Sequence, residues 1–265
     1  IAGQKEDGWI CPCPDDKRAE YDTWALMLIG KVLCVYYDST GDARIKDVLY
    51  RAMKNFYELL SAGKIKLIRW GKSRWFECFV ALNRLYDLYG EEWLKDLAKI
   101  LKAQGQDFNE LVPLWERPLN KWCLETHIVN LMMMLKFEAL SNTLLGEEYT
   151  NAAERLYRLL LKYNGTPVGI FTGDECLSGL SPIQGTELCS VVEEMYSFEL
   201  LYAKTGDPVW AERLEKIAFN ALPATISDDM WTHQYVQQSN QISCLRFPGK
   251  SLFRTNNSEA HLFGL

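Results

Sequence analysis

The sequence has no long apolar run and no surplus of positive charge, and each absence closes off a class of function. No stretch reaches the roughly 20 apolar residues that span a bilayer. The longest candidate, 128–135, is interrupted by Asn130 and followed by Lys136. Lysine and arginine number 29 against 35 aspartates and glutamates, a net charge of −6. A nucleic-acid backbone calls for a concentrated positive field, and this balance argues against one. The 8 cysteines are too sparse for a disulfide scaffold and too scattered for a finger-type zinc site. Cys34, Cys78 and Cys123 stand in apolar surroundings and read as buried thiols. The chain opens at Ile1 with no signal-peptide pattern, so it reads as a trimmed or partial sequence.

What is present is the composition of a globular protein. Apolar residues make up 48% and charged residues 24% of 265, enough to bury a large core. The 9 tryptophans and 13 tyrosines fit either a large aromatic core or sugar-stacking surfaces.

Four segments repeat one pattern: an apolar helix, a glycine, an acid, and an amphipathic helix. The turns are Gly41-Asp42, Gly90-Glu91, Gly146-Glu147 and Gly206-Asp207, so the glycines lie 49, 56 and 60 residues apart by subtraction of their numbers. Glycine takes the left-handed conformation that ends a helix. The acid suits the positive dipole end of the next one. Pro208 falls in a first turn, where its missing N–H costs nothing. The helices before two of the turns, 24–37 and 128–140, are apolar almost all round, and such helices are expected to be covered on every side. Covered helices alternating with amphipathic ones predict an all-α, (α/α)6-type barrel of helical hairpins. An open solenoid is the alternative, although its repeats are usually shorter, roughly 34 to 47 residues. After Pro223 the pattern changes. Segments 230–238 and 242–247 alternate and read as strand. The organisation expected is a helical domain over 1–223 and a β-containing segment over 224–265.

The densest chemistry lies in the loop 171–189. Thr186 is placed to cap the following helix, with a stripe of Leu188, Val191, Val192, Met195, Phe198 and Tyr202. Glu187 and Cys189 fall in its first turn, and carboxylate and thiolate are both zinc-ligand types. Two ligands make half a site, and capping plus a buried thiol is the plainer reading. Asp174 and Glu175 lie about a dozen residues upstream; two carboxyl groups at one cleft are the pair that glycoside chemistry uses, and solvated loop acids are the alternative. His127 opens the most apolar helix, as a cavity-facing group or a hydrogen-bonded core residue. His233 and Tyr235 would share a strand face.

These residues carry a resemblance. Gly173-Asp174-Glu175, Pro182, Gln184-Gly185-Thr186-Glu187-Leu188-Cys189 and Val192-Glu193-Glu194-Met195 are similar to the signature of the β-L-arabinofuranosidases of glycoside hydrolase families 127 and 146. So are Asp7-Gly8-Trp9, Tyr21-Asp22-Thr23-Trp24, Arg74 with Glu77, Thr126-His127-Ile128-Val129-Asn130 and Gln234-Tyr235-Val236-Gln237-Gln238. The resemblance implies an (α/α)6 barrel followed by β-sandwich domains. It implies retaining hydrolysis by a cysteine nucleophile on a zinc ion held by one glutamate and three cysteines. By the same match Glu187 and Cys189 are zinc ligands and Glu175 is the general acid/base. The resemblance further implies that His127, Tyr235, Trp9, Asp174 and Gln184 contact a glycan substrate. The family's Cys-Cys motif has no counterpart here; the last cysteine is Cys244, and 259–265 resembles the stretch just before that motif. The sequence is therefore expected to stop short of its nucleophile. A carbohydrate-binding protein without turnover and a helical-repeat scaffold are the other two readings.

Overall fold

The structure is a computed structural model that describes residues 1–117, 122–231 and 233–241. It is all-α apart from one small sheet. Eleven α-helices run in the order α1 Trp24–Thr40, α2 Arg44–Ser61, α3 Arg69–Ser73, α4 Cys78–Tyr89, α5 Glu92–Gln104, α6 Val112–Trp115, α7 Ile128–Met134, α8 Phe137–Leu145, α9 Ala152–Asn164, α10 Leu188–Thr205 and α11 Pro208–Asn220, among the described residues. Strands β1 (Gly185–Glu187) and β2 (Val236–Gln238) pair antiparallel, Thr186 opposite Gln237. The described residues form two compact units: 1–106 with 140–149, and 107–117 with 122–139, 150–231 and 233–241.

In all four predicted turns the glycine is left-handed, at φ 66° (Gly41), 62° (Gly90), 67° (Gly146) and 69° (Gly206). A Cβ at any of the four would meet no atom within 4 Å. Backbone conformation, not space, selects glycine there. At two of the four turns the acid that follows accepts from an N–H in the first turn of the next helix. Asp42 accepts from the Arg44 N–H at 3.0 Å, and Asp207 from the Val209 N–H at 3.0 Å. Glu91 instead accepts from the Tyr50 hydroxyl at 2.9 Å and from the Trp93 indole. The third turn departs from the pattern. After Gly146-Glu147 the helix waits until Ala152, because Glu138 supplies the cap, accepting from the Thr150 and Ala152 N–H groups at 2.8 and 2.7 Å.

In the first unit α1 packs on α2 and α4, and α2 on α4 and α5. The N-terminal segment is tied down by Gln4, which donates to the Val48 carbonyl at 2.9 Å, and by Arg51, which donates to the Lys5 and Glu6 carbonyls. In the second unit α10 packs on α7 and α11. Tyr157, Phe198 and Trp210 meet ring to ring, with centroids 5.5 and 5.4 Å apart. Arg213 lies over Tyr157 and Trp210 and pairs with Glu154.

Several expectations need correction. Every residue of α7 is buried, as an all-apolar helix requires. α1 is not: Leu28, Val32 and Val35 are 42%, 57% and 55% exposed, and no described helix covers that face. Segment 128–140 is broken between α7 and α8, where the buried Lys136 donates its ammonium to the Met133 carbonyl at 3.0 Å. On α10, Val192 and Tyr202 face outward, while Ser190, Glu194 and Ser197 are buried beside Val191, Phe198 and Leu201. The expected strand over 230–238 shrinks to 236–238. Asp229 accepts from Ser227 Oγ and the Trp231 N–H, a local turn that competes with the ladder, and Met230 is left-handed at φ 61°. The segment 242–247 lies outside the described residues. Of the thiols, Cys34 and Cys78 are buried and Cys123 is half-buried. No single described helix is long and apolar enough to cross a membrane.

Candidate active site

The loop before α10 is stitched to two neighbours of its own unit. The Gly173 N–H donates to the Gly185 carbonyl at 2.6 Å, and the Glu187 N–H to the Gly173 carbonyl at 3.2 Å. On the other side the Ile128 N–H donates to the Glu175 carbonyl at 2.7 Å, and the Leu177 N–H to the Thr126 carbonyl at 2.9 Å. Thr186 does not cap α10. Its hydroxyl donates to the Phe171 carbonyl at 2.8 Å, and Glu187 takes the N-cap position without a side-chain cap. Gly185 has no alternative, since a Cβ there would lie 1.8 Å from Val236 Cγ1 and 2.2 Å from Asp174 Oδ1.

This stitching brings together side chains that are 48 to 60 residues apart in sequence. Glu175 is the hub. Its Oε2 lies 3.2 Å from His127 Nε2 and accepts from the Trp122 indole N–H at 3.2 Å. Its Oε1 accepts from the Tyr235 hydroxyl. The same hydroxyl lies 2.9 Å from Glu187 Oε1. One hydroxyl proton cannot serve two acceptors, so the second contact needs a proton on Glu187. Glu187 Oε2 is buried and makes no hydrogen bond of ordinary geometry, the Cys189 thiol acting on that carboxyl more loosely. Trp122 also sets its ring edge-on to His127, centroids 5.8 Å apart.

Glu175 is also strained, with φ +93°, a region a side chain avoids. Strain at a residue whose carboxylate is held by three donors is what a functional constraint leaves behind.

The two carboxyls are driven apart in acidity. Burial alone would raise Glu175; hydrogen bonds from His127, Tyr235 and Trp122, with the His127 charge, overcome it and lower the group to about 2. Glu187 is raised, by burial first and then by the Glu175 charge. Partial burial of the thiol and then the Glu187 charge push Cys189 up to about 12, although the residue as a whole is exposed. Chemically the arrangement is a buried carboxyl pair on one hydroxyl, flanked by an imidazole and a half-exposed indole.

Of the residues singled out in the sequence, Glu175, Glu187, His127 and Tyr235 meet directly. Asp174 is buried against Gly185, Gln184 stands half-buried at the entrance to β1, and Cys189 sits one step along α10. Trp9 belongs to the first unit, where it is buried, donates its indole N–H to the Cys11 carbonyl at 2.8 Å and packs edge-on to Tyr21. His233 bridges to Ile226. Trp122 was not singled out. It stands 53 residues from Glu175 in an irregular stretch, and no periodicity marks it.

No family model matches the chain, and no curated protein matches it in sequence. Solved structures do match in shape. A protein described as a glycoside hydrolase superimposes with a TM-score of 0.64 at 15% identity, over 94% of this chain and 45% of its own. A GH127 β-L-arabinofuranosidase from Geobacillus stearothermophilus T6 gives 0.59 at 14% identity, over 89% of this chain and 43% of its own. An unsaturated glucuronyl hydrolase specific for heparin gives 0.54 at 14%, over 80% and 60%. The chain thus spans less than half the length of the first two. At this identity the likeness shows the fold, an (α/α)6-type barrel of helical hairpins.

Proposed function

We propose that this chain is the catalytic-barrel portion of a retaining glycoside hydrolase acting on L-arabinofuranose-containing glycans. The observation that carries the reading is Glu175, a strained residue whose carboxylate is held by His127, Trp122 and Tyr235 against a second carboxyl, Glu187. Retention rests on the sequence resemblance, in which the nucleophile is a cysteine and Glu187 a zinc ligand rather than a second catalytic carboxylate. Arabinofuranose as the sugar rests on the sequence resemblance and on likeness to a GH127 structure.

In the resting arrangement Glu175 is ionised, the state of a base. It becomes the acid when a sugar enters and the His127 and Tyr235 donors turn to sugar hydroxyls, which removes the bonds that hold its acidity high. Glu175 then protonates the departing glycosidic oxygen and later takes a proton from water. His127, Tyr235, Asp174 and Gln184 orient the ring, and Trp9 is carried as a sugar contact by the resemblance alone. Of the zinc ligands that the resemblance implies, this chain supplies Glu187 and Cys189, and the ion would make a cysteine a thiolate at neutral pH. The segment 224–265 is proposed either to complete the rim of the site or to lead to a β-sandwich.

The test is hydrolysis of an aryl β-L-arabinofuranoside by the full-length protein. Glu175→Gln should lower kcat by about 10²–10⁴-fold; undiminished turnover in that variant would remove Glu175 from the acid role.

A further inference from the structure

Two cysteines stand directly beside the site without a role in the proposed hydrolysis. Cys176 follows the strained Glu175, and Cys123 follows Trp122, whose indole N–H donates to Glu175. The pair is 53 residues apart in sequence, and the backbone of Cys176 bridges antiparallel to that of His127. The Cys176 sulfur lies 3.5 Å from the Cys123 nitrogen and 3.4 Å from the Cys123 carbonyl oxygen. A thiol seated on its neighbour's backbone leaves the two Cα atoms about one side chain apart, near the separation of about 4.4–6.8 Å that a disulfide spans. The side chains also share a neighbour. Cys123 Sγ lies 3.0 Å from the Thr126 hydroxyl, and the same hydroxyl acts on the Cys176 thiol. Two sulfurs on one hydroxyl meet by turning about Cα–Cβ, with no change of strand pairing. The two differ in access: Cys123 is half-buried and Cys176 is fully buried.

We propose that Cys123 and Cys176 form an intramolecular disulfide when the protein meets a low-molecular-weight disulfide such as oxidised glutathione, and that the bond locks Trp122 onto Glu175. The more accessible thiol reacts first. The Cys123 thiolate attacks one sulfur of oxidised glutathione, breaking its S–S bond and expelling one glutathione thiolate. The Cys176 thiolate then attacks the Cys123 sulfur and expels the other. Two protein thiols are oxidised, one small disulfide is reduced, and the two thiol protons end on the two glutathione thiolates. Burial holds the Cys176 thiol up at about 11, so the closing step is the slow one. The crosslink ties the residue after Trp122 to the residue after Glu175, so the indole stays on the carboxylate. The bond itself is independent of the hydrolase reading; its effect on turnover rests on that reading, because Glu175 must be open to a glycosidic oxygen.

The test is incubation of the full-length protein in oxidised glutathione, alkylation of the remaining thiols, digestion without reduction and mass spectrometry. A peptide pair linked through Cys123 and Cys176 should appear and vanish with dithiothreitol. Cys189→Ser should give the same link. Cys176→Ser, checked for folding by circular dichroism, should stop at a glutathione adduct on Cys123. If it fails to fold, Cys123→Ser, which should leave Cys176 without link or adduct, decides alone. No link in the wild type, a link from Cys123 to any other cysteine, or glutathione on Cys176 in folded Cys123→Ser would each overturn the proposal. The linked protein should also lose arabinofuranoside turnover and regain it with dithiothreitol; undiminished turnover in the linked form would overturn the lock. The Cys123–Cys176 link in a protein that hydrolyses no arabinofuranoside in either form would support the disulfide while removing the hydrolase reading.

Discussion

The two units bury different things. Among the described residues, Glu77 is the one buried ionisable group of the first unit cysteines aside, and Lys31 meets it at 3.2 Å. The second unit buries His127, Lys136, Asp174, Glu175, Glu187 and Glu194. Burying an ionisable group costs free energy unless partners repay it. The first unit meets that cost once; its other helices pack apolar faces and leave their acids at solvent-exposed turns. The second unit meets it six times, and three of those groups converge on one point. A fold that needs only stability would resemble the first unit throughout.

Glycines offer the sharpest way to break this comparison. Gly41→Ala in the first unit should cost about 1 kcal/mol, since only backbone conformation is at stake. Gly185→Ala in the second should cost more, about 1–3 kcal/mol, because its Cβ collides with Val236 and Asp174. Urea denaturation of both measures the gap; equal costs would mean that β1 and the Asp174 loop yield freely. Next comes the strain at Glu175. Both Glu175→Ala and Glu175→Gly delete the side chain, yet Gly should be the more stable by about 1–2 kcal/mol, the reverse of their order in a helix. An Ala variant as stable as Gly would say that the +93° conformation is relaxed.

The third test concerns Glu194, buried on α10, whose carboxyl is held well above its ordinary value of 4.5 by burial, Arg213 offsetting part of the rise. The folded state keeps a proton there that the unfolded chain has released. That contribution is complete below the unfolded pKa and is lost as pH rises toward the folded one. Glu194→Gln stays neutral throughout, so it should gain on the wild type by up to about 1.4 kcal/mol per pH unit inside that window. Parallel stability profiles between about pH 5 and pH 8 would remove the effect.

Much of the first unit was legible in sequence for a physical reason. A left-handed glycine and a 3.6-residue apolar period are local properties, and all four turns appear where these place them, three in the first unit and one in the second. Local patterning failed where a distant group intervened. Glu138 delays α9, the Phe171 carbonyl takes the Thr186 hydroxyl, and an Asx turn at Asp229 shortens a strand. In the site, residue types and their loop were readable in sequence, but their relations were not. Trp122 joins Glu175 across 53 residues and Tyr235 across 60.

By itself the sequence determined a helical-hairpin chain and a loop, 171–189, rich in carboxyl and thiol groups. Only the tertiary structure decided that Glu187 turns to Tyr235 and Glu175, and that His127 meets Glu175. Helix turns depend on neighbours three and four residues away. A buried site depends on which distant backbone groups close the loop around it, and these are set by packing of the whole unit.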